Sequence, residues 1–429
     1  MPKFIADVSS LLSSHIIMAA IEITISILIA RVLGPSGKGI FTTAIVTTNL
    51  VLSFTYLGLG SAITYFMGKK KYTDQEIISS ISLLIIFTSL LGIIITSLAF
   101  SITGFQLRYG WAIIVISISI IPARMVMAYA NGILMAKGRI PKIASINVIP
   151  DIIYLAGVVI ILIIGTLSVE LVLLCQVLSV YITAGYILMT IRVYGKFTPL
   201  FMPDIFWKMI RKGIIYAIAT FVVGVNYSID NLILERLTNS TEVGIYSVGV
   251  SLASLVWLLP NVINTVNFSH SAISDDPLAY AKKTATILRV VLWIAIVPVL
   301  VLYFVSPYII PVIYGDAYAM SGIVSQVILP GIWAMLIFRT LHGDLAGRGR
   351  PDITIWIYLV TAGLNIALNF WWDPLFGAVG AAWASTVCYI VGGFIFGIVY
   401  ARISNLRLSE LFIIQKTDLE RLRKMFVKL

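Results

Sequence analysis

Apolar residues in this chain form long unbroken stretches, and polar residues collect in the short connections between them. Twelve stretches can be marked, at approximately 8–33, 39–68, 77–104, 111–136, 141–166, 168–192, 213–237, 243–270, 284–307, 319–346, 352–372 and 377–402. A helix needs about 20 residues to cross a hydrocarbon core about 30 Å thick, and each stretch supplies them. Turn formers separate the stretches: Gly34-Pro35-Ser36-Gly37, Gly138 with Pro141, Gly195 with Pro199 and Pro203, Asp276-Pro277, Gly349 with Pro351, and Asp373-Pro374. No sustained period-two alternation is present, as a membrane barrel of strands would need. The pattern predicts an all-α polytopic membrane protein with about twelve transmembrane helices.

The pattern also repeats. Asn131–Pro141 reads NGILMAKGRIP and His342–Asp352 reads HGDLAGRGRPD, so Gly132, Leu134, Gly138 and Arg139 return as Gly343, Leu345, Gly349 and Arg350 at an offset of 211. Upstream, Arg31, Gly39, Ile40 and Phe41 return as Arg236, Gly244, Ile245 and Tyr246 at an offset of 205. Two echoes in the same order at nearly the same spacing predict a duplicated chain. The longest polar connection, between runs six and seven, marks the junction. The expected organisation is an N-terminal six-helix lobe at 1–194, a cytoplasmic inter-lobe linker at 195–212, a C-terminal six-helix lobe at 213–405 and a tail at 406–429. An even number of spans per half gives two parallel halves.

Composition fixes the solvent. Of 429 residues, 59% are hydrophobic and only 11% charged, against about 25% charged in a soluble domain. The net charge of +11 does not point to nucleic acid, because the basic residues sit in the connections. With the N-terminus inside, 24 of the 30 Lys and Arg fall on the inner side and 4 on the outer. That asymmetry places both termini in the cytoplasm of an inner-membrane, multi-pass protein. From Leu408 to Leu429, apolar residues share one helical face among Arg421, Arg423, Lys424 and Lys428. This reads as a basic amphipathic helix on anionic membrane lipids, or as a solvated tail. Cys175 and Cys388 lie within apolar runs, so neither a disulfide framework nor a metal site is expected. P-loop, HExxH, paired CxxC and GxSxG motifs are missing, so no cofactor, ATP motor or hydrolase is expected. The outer connections near Glu170, Asp316 and Asp373 are short. That disfavours a membrane glycosyltransferase or polymerase, and the chain is not expected to be an enzyme.

Ionisable groups at membrane depth cost at least about 2.5 kcal/mol each and usually face a cavity or a partner, which makes them the candidates for function. In run one, His15 and Glu22 are seven residues apart and share a face with Ser26. In the equivalent run seven, Asn226 and Asp230 are four apart. Run eight adds Asn261, Asn264 and Asn267, and run five adds Asp151. Arg124 and Arg339 are lone arginines in runs four and ten; Arg339 maps onto Ala128, one turn from Arg124 on the same stripe. Two guanidinium groups would suit a diphosphate, since arginine binds phosphate bidentately. The alternative is helix fastening, with Arg124 paired to Glu22 or Asp151 and Arg339 paired to Asp344. Arg31 and Arg236 read as helix-end anchors. Gly58-Leu59-Gly60 predicts a hinge in run two.

Four segments carry a family resemblance: IARVLGPSGKGIFTTA (Ile29–Ala44), GLGSAITYFMGKK (Gly58–Lys70), GILMAKGRIPK (Gly132–Lys142) and GLNIALNFWWDPLFGAVGAAWAS (Gly363–Ser385). The chain resembles the polysaccharide flippases of the multidrug/oligosaccharidyl-lipid/polysaccharide exporter superfamily. The resemblance implies two six-helix bundles around a central cavity that opens alternately to each side of the membrane. It implies a polyprenyl-diphosphate-linked oligosaccharide as substrate, moved from the inner to the outer leaflet for cell-surface polysaccharide biosynthesis. Helices one, two, seven and eight line the cleft in such proteins, which would place His15, Glu22, Asn49, Asn226, Asp230 and Asn264 there. The related lipid II flippases use cavity arginines for the diphosphate, and Arg124 and Arg339 would serve similarly. Glu22, Asp230 and His15 are then the candidates for binding a coupling H+ or Na+. Lipid II flippases carry extra C-terminal helices, and this chain stops at about twelve. The alternative within the superfamily is a cation-coupled multidrug antiporter, which cleft arginines disfavour.

Overall fold

The computed structural model describes residues 2–69, 72–165, 167–272, 276–413, 415 and 418. Among the described residues there is no strand. The helices are α1 (Pro2–Thr55), α2 (Leu59–Lys69), α3 (Asp74–Thr103), α4 (Phe105–Tyr109), α5 (Trp111–Ala136), α6 (Ile140–Ile164) and α7 (Val169–Ile191). After them come α8 (Pro203–Leu237), α9 (Ser240–Ala253), α10 (Leu258–Ala272), α11 (Pro277–Tyr314), α12 (Ala319–Gly347), α13 (Pro351–Ile403) and α14 (Leu408–Phe412).

Among the described residues, ten helical stretches are long and apolar enough to cross a membrane. Two of them, His15–Lys69 and Asp352–Ile403, are 55 and 52 residues long, more than twice the span a bilayer needs. Each breaks at a glycine of positive φ, Gly34 at 66° and Gly377 at 56°, a conformation that favours glycine. At Gly34 the following Pro35 restarts the helix, where its missing N–H costs nothing. Each stretch therefore holds two of the expected runs.

The surface confirms the solvent. Leu98, Trp111, Ile163, Phe304, Trp356 and Trp371 are exposed, while Asn226, Asp230, Asn369 and Asp373 are at most 1% exposed. A water-soluble protein shows the opposite distribution; here apolar side chains face outward over the length of the spans, and the protein is a multi-pass membrane protein.

Local sequence explains the helix ends. Thr73 and Glu76 form a reciprocal capping box at the start of α3, and Gly104 ends it in the left-handed conformation. Asp276 caps α11 by accepting from the Leu278 and Ala279 amides, each at 3.0 Å. α8 begins at Pro203, ten residues before its apolar run, so only 195–202 of the polar connection is without helix. Run eight is interrupted by a 3₁₀ turn at Ser254–Trp257. Pro260 explains it, since it cannot donate to the carbonyl of residue 256 and its ring crowds that carbonyl. In run two the chain turns at Leu57 and Gly58, both of positive φ, where the hinge was expected.

The echoed segments also share a local backbone geometry. Gly138 and Gly349 both adopt positive φ, at 68° and 77°. The amides of Arg139 and Arg350 reach back to Leu134 and Leu345, at 2.9 and 3.0 Å. This is the same helix stop made twice. A Cβ on Gly132 would lie 2.6 Å from the Gly60 carbonyl oxygen, and one on Gly343 would lie 2.3 Å from that of Asn264. In both halves the glycine lets a helix backbone approach its neighbour. Gly343→Ala is expected to cost about 1–3 kcal/mol through overpacking, read as a lower unfolding temperature in detergent; an unchanged temperature would remove the close-approach role.

The chain divides into two compact units, one of Ala20–Gly244 and one of the residues before and after it. The first unit has backbone contacts at two levels. A Cβ on Gly39 would meet the Ser240 carbonyl oxygen at 1.7 Å, one on Gly244 would meet that of Pro35 at 2.0 Å, and the Ser36 and Ser240 hydroxyls lie 3.0 Å apart. Gly213 similarly abuts the Leu57 carbonyl oxygen, at 2.0 Å. Close by the first of these contacts, Glu235, 2% exposed, is clasped by Arg108 at 2.7 Å and accepts from the Tyr109 hydroxyl at 3.1 Å.

In the second unit α14 packs on α11 and α13, with Leu411 fully buried and the Phe412 ring against Gly397. Arg289 holds Asp418 through two hydrogen bonds, at 2.6 and 3.0 Å. Most of the amphipathic helix expected over Leu408–Leu429 lies outside the described residues.

Candidate functional site

In the first unit, α5 carries Arg124 into the middle of its span. The guanidinium is half-buried, its Nε is shielded from solvent, and it makes no hydrogen bond or ion pair among the described residues. Asp151 on α6 and the Tyr56 hydroxyl lie within its electrostatic field, and Asp151 in turn lies within that of Glu22 on α1. The three charges expected to matter therefore gather in one region without closing an ion pair. Neither Glu22 nor Asp151 hydrogen-bonds to another described side chain, so the fastener alternative for Arg124 lacks its contact. Glu22 and Asn49 are exposed, whereas Asn226 and Asp230, one turn apart on α8, are each 1% exposed.

In the second unit, Arg339 of α12 donates to the Asn261 side-chain oxygen and lies over the Trp257 ring, 3.9 Å from its centroid. Trp257 is fixed in turn by its indole N–H, which donates to the Ile332 carbonyl at 3.0 Å, and by Tyr389 at its edge. Such stacking fixes the direction in which a guanidinium points. Sequence reasoning missed Trp257, although it precedes Asn261 by one turn; the 3₁₀ turn that aims it had no visible cue beyond Pro260. Asn264 backs onto Gly343, and its side-chain oxygen has no hydrogen-bond partner. His15 is exposed.

The expected alternative partner of Arg339, Asp344, is engaged elsewhere. Asp344 is fully buried and paired to Arg348, with the Ser271 hydroxyl donating to it at 2.5 Å and the Tyr400 hydroxyl donating to its other oxygen. Five residues separate Arg339 from Asp344, which puts them about 140° apart on a helix; the four to Arg348 leave only about 40°.

A second feature was not singled out from sequence. Asn365, Asn369 and Asp373 recur at four-residue spacing on α13, each at most 1% exposed, with Asn369 donating to the Asn365 side-chain oxygen at 3.1 Å. The Asn369 side-chain oxygen has no hydrogen-bond partner. Oxygen donors of this kind suit a hard cation. Among the described residues no three His, Cys, Asp or Glu gather as a metal site.

Comparison with known proteins identifies the fold and the family. Across 97% of the chain and 92% of its counterpart, the fold matches the lipid II flippase MurJ in an inward closed conformation, at a TM-score of 0.78 and 16% identity. It also matches the MATE multidrug transporter DinF-BH, at a TM-score of 0.70 and 16% identity over 97% of both chains. At these identities the likeness establishes the fold. In sequence, the chain is 28% identical over 169 residues to the probable flippase AglR of Haloferax volcanii, a match covering 38% of this chain and 36% of that protein. The family model described as polysaccharide biosynthesis protein matches residues 4–268, more than half of the chain, and the chain belongs to that family.

Proposed function

We propose that this protein is a flippase. It moves polyprenyl-diphosphate-linked oligosaccharide repeat units from the inner to the outer leaflet of the cytoplasmic membrane, for cell-surface polysaccharide biosynthesis. Both termini lie in the cytoplasm, and the protein works by alternating access, driven by a gradient of H+ or Na+. It transports and makes no covalent change. The observation that carries this reading is Arg124: a half-buried guanidinium in an apolar span, near the Asp151 carboxylate yet not bonded to it. A charge kept at membrane depth without a partner is expensive, and a substrate anion is what would justify it. Arg124 and Arg339 take the phosphate oxygens, and Asn49, Asn226 and Asn264 contact sugar hydroxyls. Glu22, Asp230 and His15 bind the coupling ion, with the Asn365–Asp373 stripe as a further cation-binding element.

Two outcomes check the moving parts. Alternating access requires the contact between Pro35–Gly39 and Ser240–Gly244 to open. A disulfide in Ser36→Cys/Ser240→Cys is expected to lower transport at least about tenfold, with recovery on reduction; the hydroxyls it replaces are 3.0 Å apart. Uninterrupted transport in the cross-linked protein would exclude that opening. Glu22→Gln/Asp230→Asn is expected to leave substrate binding intact and to remove the response of transport to an imposed ion gradient. A response equal to wild type would take both acids out of coupling.

The assignment itself is tested in flippase-deficient cells, by measuring lipid-linked oligosaccharide on each leaflet with a membrane-impermeant lectin. The expected result is restored outward movement. Failure with several oligosaccharides, together with lowered accumulation of cationic dyes, would favour the multidrug antiporter instead.

A further inference from the structure

The repeated motif leaves one cationic surface that the proposed transport cycle does not use. Where α5 turns into α6, Gly138, Arg139, Pro141, Lys142 and Ser145 line an open pocket of about 480 Å³. Arg139 is exposed and makes no hydrogen bond or ion pair among the described residues. Lys142 is held in place by the Tyr186 hydroxyl at 2.8 Å, with its ammonium 5.1 Å from the ring centroid. Neither contact neutralises it. Lys137, just before the pocket, is already paired to Asp74 at 2.5 Å.

The second half shows what the same turn looks like when its charges are satisfied. Arg348, equivalent to Lys137, is paired to Asp344, and Arg350, equivalent to Arg139, is paired to Asp352 at 3.2 Å. The acid that neutralises Arg350 occupies the position of Pro141, and Ile353 occupies that of Lys142. One copy of the motif is internally neutral; the other carries two cations and no acid on its lining.

Position decides the chemistry of the anion. The pocket lies where two apolar spans end, which is headgroup depth. Beside it Met135, Tyr186 and Met189 are exposed, and Ile152 continues the apolar surface along α6. A ligand there meets cations at one end and hydrocarbon-facing side chains at the other. We infer that the α5–α6 turn is a docking site for the phosphate of an anionic membrane lipid, with its acyl chains lying along α6 and α7. This site is separate from Arg124 and Arg339, and it stands whether or not the chain moves lipid-linked sugars.

The test is native mass spectrometry of the full-length protein with phosphatidylglycerol or phosphatidylcholine at equal concentration, with and without inorganic pyrophosphate. Wild type is expected to retain phosphatidylglycerol in preference. Arg139→Gln/Lys142→Gln should lower that occupancy about tenfold, in keeping with two basic groups at a lipid surface, and Arg350→Gln should leave it unchanged. Should the double variant misfold, Arg139→Gln alone, an exposed change, should give a smaller loss, and Arg139→Lys/Lys142→Arg should retain binding. Equal phosphatidylglycerol occupancy in wild type and the glutamine variants would overturn the site. Full displacement by pyrophosphate with no preference between the lipids would assign it to free phosphate instead.

Discussion

Arg124→Ala is expected to abolish most transport while leaving the protein at least as stable as wild type. Hydrogen bonds from a guanidinium to phosphate contribute about 2–3 kcal/mol, which corresponds to roughly 30–150-fold in rate. Stability should not fall, because the side chain makes no hydrogen bond or ion pair among the described residues and its Nε is already shielded. Removing it takes an uncompensated charge out of an apolar span. A fastening arginine would behave in the reverse way, losing stability first. Arg124→Lys should recover little, since an ammonium cannot make the paired planar contact. Flipping rate and unfolding temperature, measured on the same preparations, separate the two roles: loss of both together would return Arg124 to a structural part.

Asp344→Ala is expected to be the most destabilising single change, costing about 3–5 kcal/mol as breakage of a buried ion pair does. It strands the Arg348 guanidinium, whose side chain is 13% exposed, and removes the acceptor used by Ser271 and Tyr400. Those bonds tie α12 to α10 and α13, so the loss should spread through the second unit. Replacing both charges, as in Asp344→Asn/Arg348→Met, should recover most of the stability, because no unpaired charge remains. Thermal unfolding in detergent reads both variants. A double variant no better than Asp344→Ala would mean that the hydroxyl contacts, rather than the stranded charge, dominate.

Much of the fold could be read from residue order because bilayer thickness leaves few choices: runs long enough to span became helices, and the α5 bounds matched the expected run at 111–136. Glycines carried the repeat because their role is backbone geometry, as Gly138 and Gly349 show at the same helix stop. The joins inside the two longest helical stretches were less legible. At Gly34 and Gly377 one helix stops and the next starts with no loop between them, and a turn signal in sequence does not give the length of the connection. Of the site, the lone arginines were visible as charges out of place. Their surroundings were not, because the nearness of Arg124, Asp151 and Glu22 depends on how α5, α6 and α1 pack. The Asn365–Asn369–Asp373 stripe is legible in the sequence from its four-residue spacing alone.

The most direct measurement is made in proteoliposomes with a fluorescent polyprenyl-diphosphate oligosaccharide, following its exposure to a quencher that cannot cross the membrane. The flippase assignment predicts movement that depends on the protein, that an imposed H+ or Na+ gradient accelerates, and that Arg124→Ala/Arg339→Ala slows at least about 30-fold. Transbilayer movement no faster than in protein-free vesicles, at every gradient tried, would contradict it.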